Sequence, residues 1–374
     1  MDGVHVDALS RWIAQRRPRR SLLGALTALA VVAGHEPSPL VAKRQTSRSG
    51  KAAAARRRDR RKRRFDALLA STAPEVQREI VGGSAVPQGT NPFISFVQVD
   101  LGNNQATVCT GSLITPRHVL TAAHCVVDDA NQPFLPEQFL TAVGRALIQN
   151  VPAANIWEVT AVFPHPAYDP DTIRNDVAVL QLDGDVPANI AQPVTLVGSN
   201  DTRFESPGQV ATVAGWGRTS GGGPASAQLM QAPLTVVSDA SCAQVIEMEP
   251  DVQVCARNMS ATACQGDSGG PLLAMTAAAS EPGRDGQGLS VSVNAEKKKG
   301  KKRRKRKKGQ NTSPVPPPPT SPPPPPPPPP PAGVPLQVGV VSFGFQTCPL
   351  GGVNVFAQLS APEVRSFITD MAGI

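Results

Sequence analysis

The sequence predicts an all-β fold of antiparallel barrels closed by one C-terminal helix. Short apolar alternations recur along it (Phe93–Val99, Trp157–Val162, Val177–Leu182 and Val210–Ala214), separated by Gly, Pro, Asn and Asp. That pattern belongs to brief strands joined by tight turns. It suits two antiparallel barrels, whose closure leaves no open sheet edge. The single helical stretch of the core runs from Pro362 to Met371, with Ser360 as its candidate cap.

Charge divides the chain into segments. The formal net charge of the 374 residues is +8, but residues 1–79 hold 18 Lys+Arg against 7 acids and residues 277–336 hold 12 against 3. Residues 80–276 and 337–374 together hold 7 Arg, no Lys and 19 acids, a net −12. An acidic core of this kind is not a basic nucleic-acid-binding fold. No apolar run reaches the roughly 18 residues that a membrane-spanning helix needs. The core is long enough for one large domain or a two-lobed one.

Residues 1–42 read as an export signal. Arg16, Arg17, Arg19 and Arg20 precede the apolar stretch Leu22 to Gly34, as a positive n-region precedes an h-region. The order Arg19-Arg20-Ser21-Leu22-Leu23 resembles a twin-arginine signal. The expected location is therefore extracellular, free or held at a surface; retention of the stretch as an anchor is the alternative. Residues 43–79 follow as a basic pro-region. The run Arg56 to Arg64 has no apolar period, so disorder is expected there. A processing site, a basic arm and a solvated linker are all compatible with it.

Three strings in the core bear chemistry: Leu120-Thr121-Ala122-Ala123-His124-Cys125, Asn175-Asp176-Val177-Ala178-Val179-Leu180, and Cys264-Gln265-Gly266-Asp267-Ser268-Gly269-Gly270-Pro271. A serine hydroxyl is a poor nucleophile unless a base removes its proton during attack. An imidazole does this near neutral pH, and a carboxylate fixes its tautomer. Glycines around a serine let the backbone turn tightly, so that amide N–H groups can face a developing oxyanion.

In the order His, Asp, Ser, these strings resemble the trypsin/chymotrypsin family of serine endopeptidases. Ile80-Val81-Gly82-Gly83, Cys109-Thr110-Gly111-Ser112-Leu113-Ile114, His165-Pro166-Ala167-Tyr168, Gly215-Trp216-Gly217 and Ser342-Phe343-Gly344 resemble it too, so the likeness runs from Ile80 to Ile374 apart from one insert. It implies two six-stranded antiparallel barrels with the reacting groups in the crevice between them. It also implies Ser268 as nucleophile, His124 as general base and acid, and Asp176 orienting the histidine, with Ser342 beside it. The backbone N–H groups of Gly266 and Ser268 would form the oxyanion hole. The implied disulfides are Cys109–Cys125, Cys242–Cys255 and Cys264–Cys348, which use all six cysteines. Paired cysteines fit an oxidising compartment. No cofactor and no metal are expected, and no acid stands between Glu137 and Glu158 to serve a calcium loop.

The resemblance further implies a zymogen. Cleavage before Ile80 would free an amine to pair with Asp267, ordering the oxyanion turn. Relatives carry Arg or Lys before that bond, whereas here Arg78 is followed by Glu79. A separate activating protease is expected: one selective for Glu, or a cut after Arg78 with later loss of Glu79. The specificity pocket would be built from Thr262, Ala263, Ser342, Gly344 and Asn354. Thr262 stands where Lys/Arg-selective members carry Asp. An unpaired buried ammonium is costly, so a neutral residue before the scissile bond is expected. Relaxed trypsin-like cleavage guided by the negative field of the core is the alternative.

The insert, residues 277–336, begins with small residues, passes through the basic run Lys297 to Lys308, and ends in a proline tract from Pro314 to Pro331. Basic runs repel themselves and continuous proline favours an extended rod, so a disordered excursion is expected. It would be a tether to an anionic surface or polymer, a clasp on the acidic core, or a segment without a role. Sequence-specific nucleic-acid binding is not expected, since aromatics are absent between Met275 and Phe343. The partners expected are polypeptide substrates and an activating protease, and the chain is expected to be monomeric. The reading from another class is a surface-binding or adhesive protein that uses the fold as a carrier for its basic and proline-rich segments.

Overall fold

The computed structural model describes residues 39–72, 82–103, 105–218, 220, 223–277 and 333–374. Residues 1–38 of the expected signal, Ile80 with its activation bond, and residues 278–332 lie outside the described residues. The chain divides into two compact units, Met1–Ala54 and Ala55–Ile374.

The first element corrects an expectation. Helix α1 spans Pro39–Thr72, where the pro-region was expected to be disordered. Its segment after Ala55 belongs to the larger unit. Arg61, Phe65, Leu68 and Leu69 are buried at 8, 0, 7 and 8 % exposure, spaced four, three and one apart, which makes one face of a helix. Burying Phe and Leu side chains stabilises by about 1.5–3 kcal/mol each. The basic run is matched by acids of the core: Arg57 pairs with Glu158 and Asp183, Arg61 with Asp183, and Arg64 with Asp100. The buried face begins inside the charged run at Arg61, but its apolar residues start only at Phe65, past the run, so the run alone hid its period.

After the short strand β1 (Ser84–Ala85), six strands make the first barrel: β2 (Ile94–Gly102), β3 (Gln105–Thr115), β4 (His118–Thr121), β5 (Phe139–Val143), β6 (Ile156–Pro164) and β7 (Ala178–Leu182). They close in the order β2-β3-β4-β7-β6-β5, every pair antiparallel. Val97, Leu113, Leu120, Leu140, Ile156 and Leu180 are fully buried in its core.

A second set follows: β8 (Thr195–Leu196), β9 (Val210–Gly215), β10 (Met230–Val237), β11 (Gln253–Arg257), β12 (Pro271–Ala277), β13 (Gly333–Gly344) and β14 (Val353–Gln358). The order β10-β11-β14-β13-β12-β9 closes through the β9–β10 pairing, which gives the second six-stranded antiparallel barrel. Strand β1 adds to β10, and β8 pairs parallel with β13. The two barrels meet at Phe96 and Trp216, whose rings stand edge-to-face at 5.5 Å.

The insert is shorter at its base than the composition suggested. The β12–β13 ladder continues to Ala277↔Gly333, so residues 277 and 333–336 belong to strands. Gly333 and Pro335 read as breakers, but a hairpin tolerates them near its tip. A short helix α2 (Asp239–Cys242) is capped by Ser238. The C-terminal helix α3 spans Pro362–Ala372, and Ser360 does not cap it. Ala361 holds the cap position, while Ser360 Oγ accepts from the Gln358 side-chain amide at 2.9 Å.

Candidate active site

Strand β4 ends at Thr121, and the chain leaves the barrel through Ala122 and Ala123 to His124. The Cys109–Cys125 disulfide fastens this turn to β3. His124 keeps its side chain 30 % exposed, while Asp176, just before β7, is fully buried. One carboxylate oxygen of Asp176 accepts the His124 backbone N–H at 2.9 Å, and the other takes His124 Nδ1 at 2.7 Å. Ser342 Oγ on β13 donates to that second oxygen at 2.5 Å. An ionised carboxylate only accepts, so Nδ1 carries the proton and Nε2 is left with a lone pair. Burial alone would lower the imidazole pKa, but the charge and hydrogen bond of Asp176 outweigh it and hold it above the ordinary value. Burial alone would raise the Asp176 pKa, yet His124 and Ser342 keep it below the usual carboxylate range.

The loop that delivers Asp176 is bent and pinned. Ile173 and Asn175 have φ of 55° and 56°, which is unusual for a β-branched residue. Between them Arg174 reaches Asp251 with both terminal nitrogens, at 2.8 and 2.6 Å, and also meets Glu363 on α3. Sequence reasoning missed Arg174, since nothing in the sequence marks a single arginine as a clamp between a loop of the first barrel and the second.

Ser268 sits on a turn fixed from several sides. Thr110 N–H donates to Ser268 C=O at 2.8 Å, and Gly269 N–H donates to Val341 C=O at 2.8 Å. Gly269 has φ of 79°, and a Cβ there would lie 2.1 Å from Thr121 Oγ1 and 2.3 Å from Thr110 C=O. This close approach seats the serine turn against the strand end that leads to His124. Gly266 has φ of 100°, and its carbonyl accepts from Thr110 Oγ1 at 2.9 Å. Among the described residues neither the Gly266 nor the Ser268 amide N–H has an acceptor. Thr110 is thus a second residue that the motif alone did not single out.

Asp267 is fully buried, accepting from the amides of Gly217 and Cys264 at 2.8 and 2.9 Å. Burial pushes its carboxyl up to about 6, and these two amides offset part of the shift. No cation among the described residues pairs with it.

Thr262, Ala263, Gly344 and Asn354 come together. Asn354 Oδ1 accepts from Thr262 Oγ1 at 3.1 Å and from Ala263 N–H at 3.2 Å, and a Cβ on Gly344 would stand 3.0 Å from Asn354 Nδ2. Thr262 and Asn354 are 1 and 4 % exposed, and this cluster contains no carboxylate. The remaining disulfides join Cys242 to Cys255 and Cys264 to Cys348. Cys109, Cys125 and His124 lie close together, but the two sulfurs are bonded to each other, which removes the thiolates a metal would need. Beside Gly266, an open cleft of about 490 Å³ is lined by Ser71 and Thr72 of α1 with Thr107, Val108 and Gln265.

Twin six-stranded barrels with a carboxylate-bound histidine and a glycine-seated serine are the architecture of trypsin-like serine proteases. The chain belongs to the trypsin family, whose sequence model, described as Trypsin, matches residues 80–300. It is similar to dog chymase (Canis lupus familiaris), 33 % identical over 218 residues that cover 55 % of this chain and 80 % of the chymase. It is also similar to human Serine protease 56, 34 % identical over 209 residues, 54 % of this chain and 32 % of that protein. The proclotting enzyme of Tachypleus tridentatus is 31 % identical over 208 residues, covering 52 % and 54 %. The chain thus spans about a third of the length of Serine protease 56. Among the described residues no helix is long and apolar enough to cross a membrane.

Proposed function

We propose that the protein is a secreted serine endopeptidase, made as a precursor and activated by cleavage before Ile80. The observation that carries this reading is the bonded pair of His124 and Asp176, together with a serine turn whose Gly266 and Ser268 amides have no acceptor among the described residues. Ser268 Oγ attacks the peptide carbonyl while His124 Nε2 takes its proton, and Asp176 stabilises the imidazolium. The carbonyl oxygen gathers charge facing the N–H groups of Gly266 and Ser268; one such donor is worth about 10²–10³ in turnover. His124 then protonates the leaving amine, and water repeats the sequence to release the acyl group.

Activation rests on Asp267. A buried carboxylate without a cation is costly, and the new amine of Ile80 would supply one. Ordering of the oxyanion turn follows, because Asp267 adjoins Ser268 and holds Cys264 and Gly217. Ile80 and Glu79 lie outside the described residues, as does the run 297–308 proposed to hold an anionic surface.

The Thr262–Asn354 pair supports a neutral preference, since it offers a basic side chain hydrogen-bond acceptors but no counter-charge. A mature form beginning at Ile80, incubated with a mixed peptide library and read by mass spectrometry, tests both parts, with Ser268→Ala as control. Cuts after uncharged residues, by the active form alone, are the expected result. Cuts chiefly after Arg or Lys would overturn the pocket assignment, and no cuts from folded, oxidised protein would overturn the endopeptidase.

The pH dependence has a defined sign. His124 must be neutral to accept a proton, and Asp176 holds its pKa above 6.5. Activity should therefore fall as pH drops through a value above 6.5 and level off on the alkaline side. A kcat/KM profile with its acid limb below 6.5 would contradict that electrostatic assignment.

A further inference from the structure

The outer face of the first barrel carries a helix that no catalytic step uses. We infer that this face is a docking site for residues 55–72, and that after cleavage before Ile80 the helix stays bound as a separate, non-covalent chain. The inference rests on the cleavage proposed above.

Three observations support it. The buried stripe of Phe65, Leu68 and Leu69 is anchored in the body of the barrel: the Phe65 ring stands edge-to-face on Phe96 at 6.1 Å, and Phe96 in turn meets Trp216. Strand β2 presents Phe96 and Asp100 on one face, and α1 touches both, through Phe65 and Arg64. Between them on that face, Gln98 is fully buried.

Charge is complementary as well. Arg61 and Asp183 pair with only 9 and 10 % of their side chains exposed, and Arg57 bonds to Glu158 at 2.7 Å. Release of the helix would have to break the Arg61–Asp183 pair and expose the apolar side chains of Phe65, Leu68 and Leu69 to water.

The attachment can only be non-covalent. All six cysteines are paired with one another between residues 109 and 348, so none is left to tie the segment before Ile80 to the body. At the far end of the helix, Ser71 and Thr72 share the cleft beside Gly266. A retained helix therefore flanks the turn that bears the oxyanion amides.

The test uses the oxidised full chain with, in place of residues 75–79, the recognition sequence of a protease that cuts directly after its own site, so that the cut leaves Ile80 as the new N-terminus. It is cut once and passed through size exclusion at physiological salt, and native mass spectrometry identifies what each peak contains. The N-terminal fragment is expected to co-elute with the body at low micromolar concentration and to separate on denaturation.

Phe65→Asp should release it. Arg61→Asp should weaken retention at least tenfold, and adding Asp183→Arg should restore it, which a merely misfolded fragment would not do. Separate elution of the unsubstituted fragment, or retention indifferent to both Phe65→Asp and Arg61→Asp, overturns the inference.

Peptide hydrolysis is read on the same sample. A retained fragment on an inactive body would remove the endopeptidase reading and leave the docking site standing. A released fragment beside full activity would do the opposite.

Discussion

Ser268→Ala should lower turnover by about 10⁶-fold, leaving a residual rate about 10³-fold above water. The size of the drop follows from what remains. The hydroxyl is the only atom of the site that would bond to the substrate, so His124 and Asp176 lose their task with it. The amides of Gly266 and Ser268 are backbone groups and survive, which accounts for the residue. Ser268 is half-buried, and its turn is held through its carbonyl and through Gly269 N–H, not through Oγ, so thermal stability should change by less than about 0.5 kcal/mol. Asp176→Asn should cost less, about 10⁴-fold, because it disturbs the tautomer of His124 and leaves the nucleophile present. Single-turnover kinetics on the three forms, with melting curves as control, checks the order. A Ser268→Ala form that kept more than a hundredth of the activity would exclude this serine as the nucleophile.

Gly269→Ala should be the most damaging single methyl in the site. Its φ of 79° suits an L-residue poorly, and the added Cβ would overlap Thr121 Oγ1 and the Thr110 carbonyl. Left-handed backbone costs roughly 1–2 kcal/mol and overpacking a further 1–3 kcal/mol or more, so a loss of about 4 kcal/mol is expected. Gly208→Ala makes the matched comparison: φ there is 92°, but nothing lies within 4 Å of the new methyl. It should cost only the backbone part, about 1–2 kcal/mol. Denaturant titration of both separates the two causes. Equal losses would mean that Gly269 is conserving backbone freedom only, and that its contact with the strand leading to His124 contributes nothing.

The strands were legible because they alternate, and the motifs carried the likeness that singled out His124, Asp176 and Ser268, of which the first two are hydrogen-bonded to each other. What the sequence hid were relations between distant side chains. Arg174 is one arginine among seven in the core, and only the fold brings Asp251 and Glu363 to it. Thr110 lies inside a matched string, yet its bond to the Gly266 carbonyl spans 156 positions. Helix α1 was obscured for a local reason: eight of the nine residues from Arg56 to Arg64 are basic, which reads as self-repulsion until Glu158, Asp183 and Asp100 are set opposite them. Ser360 failed as a cap because the helix starts one residue later, with Ala361 in the cap position, and the Ser360 hydroxyl meets Gln358 instead.

The β12–β13 hairpin changes what a nick in the interrupting segment can do. Ala277 and Gly333 are ladder partners, and the disulfide from Cys264 to Cys348 joins the two sides of the interruption. A cut anywhere from 278 to 332 therefore releases nothing: the piece carrying Ser342 and α3 remains chained to the piece carrying Ser268. Damage to the most lysine-rich stretch of the molecule would pass unnoticed on a non-reducing gel. It would appear as two bands only after a thiol was added.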